Sequence, residues 1–186
     1  MKRVISLLVV VIVLCGISTD AVAQQSKKTL IVYFSESGNT QGMANIIHEL
    51  IGADIVEIEM QHPYSDNYSA LLDEAERDLI ANARPALRTH IDNMDEYTTV
   101  LLGYPNWYAQ LPMPVYTFLE SYDFSGKRII PFCSHGNGML GESVANICKS
   151  CPDADVREAL SVTYSGGISL RSEIRTWLSK HEVLKE

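Results

Sequence analysis

The sequence is short of positive charge, short of cysteine, and without an apolar run long enough to span a bilayer. Its 186 residues carry 15 lysines and arginines against 23 aspartates and glutamates, a net charge of −8. A surface of that sign repels phosphate backbones and anionic lipid. It argues against nucleic acid or an anionic membrane as partner and is compatible with a basic protein partner. The four cysteines (Cys15, Cys133, Cys148 and Cys151) and five scattered histidines make no zinc-ligand spacing. The serine-rich stretch Phe34 to Thr40 carries neither glycine-rich nucleotide fingerprint, GxxxxGK[ST] or GxGxxG. No internal repeat, low-complexity tract or long linker follows Gln25.

The first stretch, MKRVISLLVVVIVLCGISTDAVAQ, reads as a segment that leaves the protein. Lys2 and Arg3 precede an apolar run from Val4 to about Ile17, and the small-residue pattern Ala21-Val22-Ala23 follows. This is the layout of a secretory signal peptide, residues 1–23, cleaved after Ala23. A retained anchor is the competing reading. The run falls short of the ~20 residues a spanning helix needs, and Asp20 interrupts its far end. Lipoprotein processing at Cys15 fits less well, because Leu14 is bulky where a small residue is expected. The expectation is an exported protein, periplasmic or extracellular, not held in a membrane after cleavage. The mature segment 24–186 keeps 13 basic and 22 acidic residues, a net charge of −9, and suits one domain.

Three cysteines remain after cleavage. Cys148 and Cys151 have CxxC spacing. A redox pair, a structural disulfide, and a buried Cys148 on a helix face with Cys151 at the helix end are all open readings. A redox motif belongs at a helix start after a strand, whereas this pair falls at a helix end before Pro152.

Apolar periodicity alternates between two and about 3.6 along the rest of the chain. Thr29 to Phe34 is a nearly continuous apolar run, as expected of a parallel strand covered on both faces. Met43, Ile46, Ile47, Leu50 and Ile51 follow at helical spacing, and Gly52 ends the pattern. Asp54 to Met60 alternates like a half-exposed edge strand, and a helix is expected from Tyr68 to about Ala83. Thr98 to Gly103, Arg128 to Cys133 and roughly Ala159 to Tyr164 supply three more strands. Helices are expected around Val115 to Tyr122, Val144 to Cys148 and Leu170 to Leu178. Pro131 marks a bulge or an unpaired donor. Five strands alternating with five helices predict an α/β fold, a doubly wound parallel sheet with ligands outside the carboxyl ends of its strands.

Three loops at that rim carry the chemistry. Phe34-Ser35-Glu36-Ser37-Gly38-Asn39-Thr40 crowds small hydrogen-bonding residues between a strand and a helix start, with no lysine or arginine among them. Helix-start N–H groups and the dipole favour an anion there, and Gly38 lets the backbone curl without a Cβ clash. A single phosphate monoester suits such a neutral nest; a polyphosphate with Mg²⁺ does not. Tyr104-Pro105-Asn106-Trp107-Tyr108 offers aromatics for a flat ring. Ser134-His135-Gly136-Asn137-Gly138 offers close main-chain approach to the ring's polar edge, with His135 as donor or stacking group. His48, His62, His90 and His181 read as surface residues, and Asp73, Glu74, Glu76 and Asp78 as a solvated helix face.

On these loops the chain resembles the flavodoxin family over residues 29 to 180. TLIVYF followed by SESGNT is similar to the family's phosphate loop, YPNWY to its second loop, and SHGNG to its third. The resemblance implies a five-stranded sheet of order 2-1-3-4-5 with helices on both faces and FMN at its switch point, a case that general accounts of such folds already name. It implies that Ser35, Ser37, Gly38, Asn39 and Thr40 hold the FMN phosphate. Pro105, Asn106, Trp107 and Tyr108 would lie along the ring, and Ser134, His135, Gly136, Asn137 and Gly138 would reach its far edge. The third loop lacks the tyrosine that many members stack on the flavin, which leaves one ring face open or covered by His135 or Met139. The implied function is electron transfer to a redox partner protein or a small quinone-like acceptor. An FMN-dependent NAD(P)H or quinone oxidoreductase and a flavin-free binding module are the alternatives.

Overall fold

The computed structural model describes residues 28–184. The expected signal peptide, residues 1–23, and its cleavage point lie outside the described residues. The strands are β1 (Lys28–Tyr33), β2 (Asp54–Glu57), β3 (Tyr97–Pro105), β4 (Arg128–His135), β5 (Asp155–Val156) and β6 (Leu160–Thr163). The helices are α1 (Asn39–Ile51), α2 (Tyr68–Ile80), α3 (Met113–Glu120), α4 (Ser143–Ser150) and α5 (Leu170–Lys180), with short 3₁₀ turns at Met94–Glu96 and Gly167–Ser169.

Every pairing in the sheet is parallel, in the order β2-β1-β3-β4-β5 with β6 also on β4. The expected 2-1-3-4-5 sheet is therefore present. Its fifth position, however, is divided: β5 pairs with Arg128 and Ile129, and β6 with Phe132 to His135. Pro131 explains the division. Ile129 accepts the Arg157 N–H on the β5 side, and Tyr164 donates its N–H to the His135 carbonyl on the β6 side. Alternate residues of a parallel strand face the same neighbour. Pro131 thus turns its donorless nitrogen to the gap where β5 has ended and β6 has not begun. There is no bulge at Pro131; its register with Leu102 is unbroken.

Alternation along the central strands divides the core into two layers. Leu30, Val32, Val100, Leu102, Tyr104, Ile129 and Cys133 face α2, α3 and α4, packing with Leu71, Val115, Phe118 and Ile147. Ile31, Tyr33, Leu101, Ile130 and Phe132 face α1 and α5, packing with Met43, Ile47, Ile174, Trp177 and Leu178. Side chains such as Phe118 and Leu101 are fully buried. Each contributes about 1.5–3 kcal/mol relative to an exposed position. The sheet approaches itself most tightly at Gly103, where a Cβ would lie 2.3 Å from the Phe132 ring.

The helix ends follow local chemistry. Gly52 closes α1 in the left-handed region, its N–H donating to the His48 carbonyl. Asn67 caps α2 by accepting from the Ser69 and Ala70 N–H groups at 3.0 and 3.1 Å. On α2 the acidic face is only half solvated. Asp73 and Glu76 are exposed, but Glu74 accepts the Ser65 N–H at 2.8 Å and Asp78 accepts the Tyr64 hydroxyl at 2.8 Å. These bonds tie loop 61–67 down onto α2. The cysteines also differ from one of their expected arrangements: all three described are free, with Cys148 exposed and Cys151 buried. Cys148 falls on the solvent side of α4, and Cys151, just past its end, packs into the core.

Candidate functional site

At the carboxyl rim a cleft of about 680 Å³ opens between the three loops and the start of α2. Its volume lies in the range of small-molecule sites. Of the residues anticipated from sequence, Ser37, Asn39, Pro105, Asn106, Trp107, Tyr108, Ser134, His135 and Gly136 line it. Ser35, Gly38, Thr40, Asn137 and Gly138 do not line it; most of these shape its walls from behind.

The first loop is built around Gly38, whose φ of 78° places it in the left-handed region just before α1. Gly38, at the N-cap position, has no side chain to cap the helix. The Ser35 hydroxyl accepts the Gln41 N–H at 3.2 Å, and Asn39 Nδ2 donates to the Ser37 hydroxyl at 3.1 Å. The N–H groups of residues 36 to 40 donate to nothing among the described residues. A helix start leaves its first N–H groups without intrahelical partners, and here they stay available to an anion. Thr40 is buried and its hydroxyl lies 2.8 Å from that of Ser134, which joins the first loop to the third.

The second and third loops are tied together through Asn106. Its N–H donates to the Ser134 carbonyl at 2.8 Å, and its Nδ2 donates to the Gly138 and Met139 carbonyls at 3.1 and 2.6 Å. Gly138 lies close to this bond: a Cβ there would come within 3.2 Å of Asn106 Nδ2, a tight contact. Gly141, at φ 51°, meets the second loop more closely still: a Cβ would lie 2.2 Å from the Ala109 carbonyl oxygen. Trp107 packs edge-on against Phe34 at 5.6 Å and against Tyr64 at 5.8 Å, so its ring is fixed by the protein's own aromatics. Tyr108 is exposed and donates its hydroxyl to the Leu72 carbonyl at 3.0 Å, which fastens the second loop to α2.

His135, expected as a donor or a stacking group, is already hydrogen-bonded within the protein. Its Nδ1 lies 3.1 Å from the Gly136 carbonyl and its Nε2 lies 2.9 Å from the Ser161 hydroxyl. A carbonyl only accepts, so Nδ1 carries the proton and Nε2 accepts from Ser161. Both ring nitrogens are used within the protein, because β6 brings Ser161 alongside the end of β4.

Comparison with known proteins bears on this architecture directly. Residues 28–181 match the flavodoxin family model. The chain belongs to the flavodoxin family. Solved structures agree. A candidate flavoprotein from Bacteroides eggerthii is 27% identical, with a TM-score of 0.72 over 82% of this chain and 96% of its own. One from Bacteroides uniformis is 26% identical, with a TM-score of 0.73 over 82% and 97%. A flavoprotein from Lactobacillus acidophilus, solved in complex with FMN, shares the fold at 22% identity, with a TM-score of 0.65 over 82% and 99%. No curated protein matches the chain.

As a flavodoxin-family cleft, this one has walls that sequence reasoning passed over. Glu36, Ser65, Asp66, Tyr68, Leu71, Leu72 and Tyr164 also line it. Tyr164 sits in the left-handed region at φ 49°, and its hydroxyl would lie 3.4 Å from a Cβ at Gly136. The turn after β6 thus sets a tyrosine beside a third loop that has none of its own. Glu36 is exposed at the surface, yet partial desolvation by the surrounding loops is the first cause that raises its pKa, with the nearby Asp66 and Glu57 charges adding to it. Neither Glu36 nor Asp66 joins an ion pair among the described residues. A signal for these residues did exist. Glu36 lies inside the serine-rich stretch, and Asn67 announces the helix start that carries Tyr68 to the rim.

Proposed function

We propose that this protein binds FMN in the rim cleft and passes electrons between partners through it. The observation that carries the proposal is the row of undonated N–H groups from 36 to 40 at the start of α1, opening beside an aromatic-walled cleft. The donor set fits a monoester phosphate: main-chain amides, the Ser37 hydroxyl and Asn39, with no lysine or arginine that a polyphosphate would recruit. Bound FMN supplies one- and two-electron redox chemistry. The chain's own residues bind, orient and shield. Residues 36 to 40 hold the phosphate. Pro105, Asn106 and Trp107 form one wall of the ring slot, and His135, Gly136 and Tyr164 form the other. Asn106 holds the second and third loops at a fixed spacing. No side chain acts as general acid or base in this reading. The partner is a redox protein or a small quinone-like acceptor. Cleavage after Ala23 puts the carrier outside the cytoplasm, and amino-terminal sequencing of the secreted protein tests that placement.

The test of cofactor binding is a fluorescence titration of the flavin-free protein with FMN and with riboflavin, which lacks the phosphate. FMN is expected to bind at least roughly tenfold more tightly, since charge-assisted bonds to several amides are lost with the phosphate. A protein that quenches neither compound would overturn the reading. Direct reduction of a small aromatic acceptor is a second reading. It is favoured by the exposed tyrosines at the cleft mouth, which leave a way in for a flat molecule.

A further inference from the structure

Large apolar side chains on the surface of this protein gather at one place. Seven are exposed among the described residues, and four of them line the cleft: Tyr68 at 74%, Leu72 at 37%, Tyr108 at 44% and Tyr164 at 61%. They do not form a flat patch. Tyr68 and Leu72 stand on the first turns of α2, Tyr108 is fastened to that helix, and Tyr164 comes from the turn after β6. The cleft they line is framed by elements from different parts of the sheet. Such a mouth suits the two faces of a planar ring better than the broad surface of a protein partner.

The charges at the same mouth are of one sign. Glu36 and Asp66 are the charged residues of the cleft lining, and no lysine or arginine is among them. Neither carboxylate is neutralised by an ion pair among the described residues, and both stand exposed at the mouth. An anionic pair at the mouth of a cleft repels a second anion, more strongly at low salt. The main-chain amides of residues 36 to 40 remain the chief attraction for an anion, and in the reading above the cofactor phosphate takes them.

From this arrangement we infer that Glu36 and Asp66 act as a charge filter, admitting uncharged or cationic planar aromatics to the mouth and rejecting anionic ones. The inference rests on the FMN reading and deepens it by naming the class of acceptor. It also disfavours direct docking of a nicotinamide dinucleotide, which brings a pyrophosphate to the mouth. Electrons would then enter from a partner protein and leave to a neutral or cationic ring, or the reverse.

The test uses one ring system with and without a charge. The FMN-loaded protein is titrated with 1,2-naphthoquinone and with 1,2-naphthoquinone-4-sulfonate, and binding is followed by tryptophan fluorescence. The sulfonate is expected to bind roughly tenfold more weakly than its parent, the size expected of a like-charge contact at partial screening. In the Glu36→Gln/Asp66→Asn double variant the gap closes, while Tyr68→Ala weakens both compounds alike. A second measurement needs no variant: in the wild-type protein, high salt selectively improves the sulfonate. Equal binding of the two compounds in the wild type, or a gap that survives both the double variant and high salt, overturns the inference. Loss of FMN binding itself would instead sink the cofactor reading, and the titration with FMN alone reports that separately.

Discussion

The two ends of the sheet are built on opposite terms. At the amino end charges find partners. Lys28 lies 3.4 Å from Asp54 and 3.1 Å from Glu96, and its ammonium sits 4.7 Å over the Tyr97 ring. The Tyr97 hydroxyl donates to Asp54 at 2.7 Å, and Lys127 donates to the Tyr97 carbonyl at 2.8 Å. At the carboxyl end the N–H groups of 36 to 40 and the carboxylates of Glu36 and Asp66 are left without partners of opposite sign. Four non-glycine residues with positive φ, Tyr108, Ala109, Met139 and Tyr164, belong to this end. Unsatisfied donors, unpaired charge and uncommon backbone are costs that a fold accepts where a ligand will use them. The amino end shows the same chain with its charges paired.

If the carboxyl rim is strained yet held, its largest vulnerability is the contact that holds it. Gly141→Val places a branched side chain at φ 51° and against the Ala109 carbonyl, whose oxygen also accepts the Glu142 N–H. Neither the backbone angle nor the space admits it. A loss of about 3 kcal/mol or more in urea unfolding is expected. A neutral outcome would mean that the second and third loops are not locked together. The next effect concerns the buried hydroxyl pair of Thr40 and Ser134. Thr40→Val keeps the shape and orphans the Ser134 hydroxyl, at a cost of about 1–3 kcal/mol. Adding Ser134→Ala should recover most of that loss, because removing both partners leaves no buried group unsatisfied. A double variant as unstable as the sum of the two singles would break the account.

This contrast between the ends also explains what could be read in the sequence. The central strands and α1 were legible because burial on both faces or on one stripe writes an unambiguous period. The three rim loops were legible because glycine, asparagine and serine clusters after strands have few other uses. The divided fifth strand was not: β5 is two residues long, too short for any period, and the cause is a proline on the neighbouring strand. The cleft wall formed by α2 was hidden for a different reason. Tyr68 and Leu72 look like ordinary positions of an amphipathic helix, and only the chain's path over the rim turns them toward the ring slot. Glu36 was in plain view, but its importance comes from the absence of a cation nearby, which is a fact about folded distances. For Cys148 and Cys151, helix spacing placed the pair correctly at the end of α4, while the rotation of that short helix decided which thiol is buried.

The smallest predicted effect is the most diagnostic, because the two ends should respond to acid with opposite sign. Glu36 has a raised pKa, chiefly through burial. Its folded form therefore binds a proton more readily than its unfolded form. The stability it permits is fully present below the ordinary glutamate range and is lost as pH rises through the raised value. Asp54 has a lowered pKa, chiefly through the Tyr97 hydrogen bond and then through Lys28. Its contribution is present above the ordinary aspartate range and is lost as pH falls through the lowered value. Urea unfolding from about pH 3 to about pH 7 separates them. Glu36→Gln should gain stability toward neutral pH, by less than about 1 kcal/mol once solvent screening at an exposed site is allowed for, and match the wild type in acid. Asp54→Asn should lose stability toward neutral pH, by a similarly small amount because its side chain is also exposed, and match the wild type in acid. Two pH differences of the same sign would show that the rim carboxylate is no less satisfied than the one at the opposite end, and the distinction between the ends would fail.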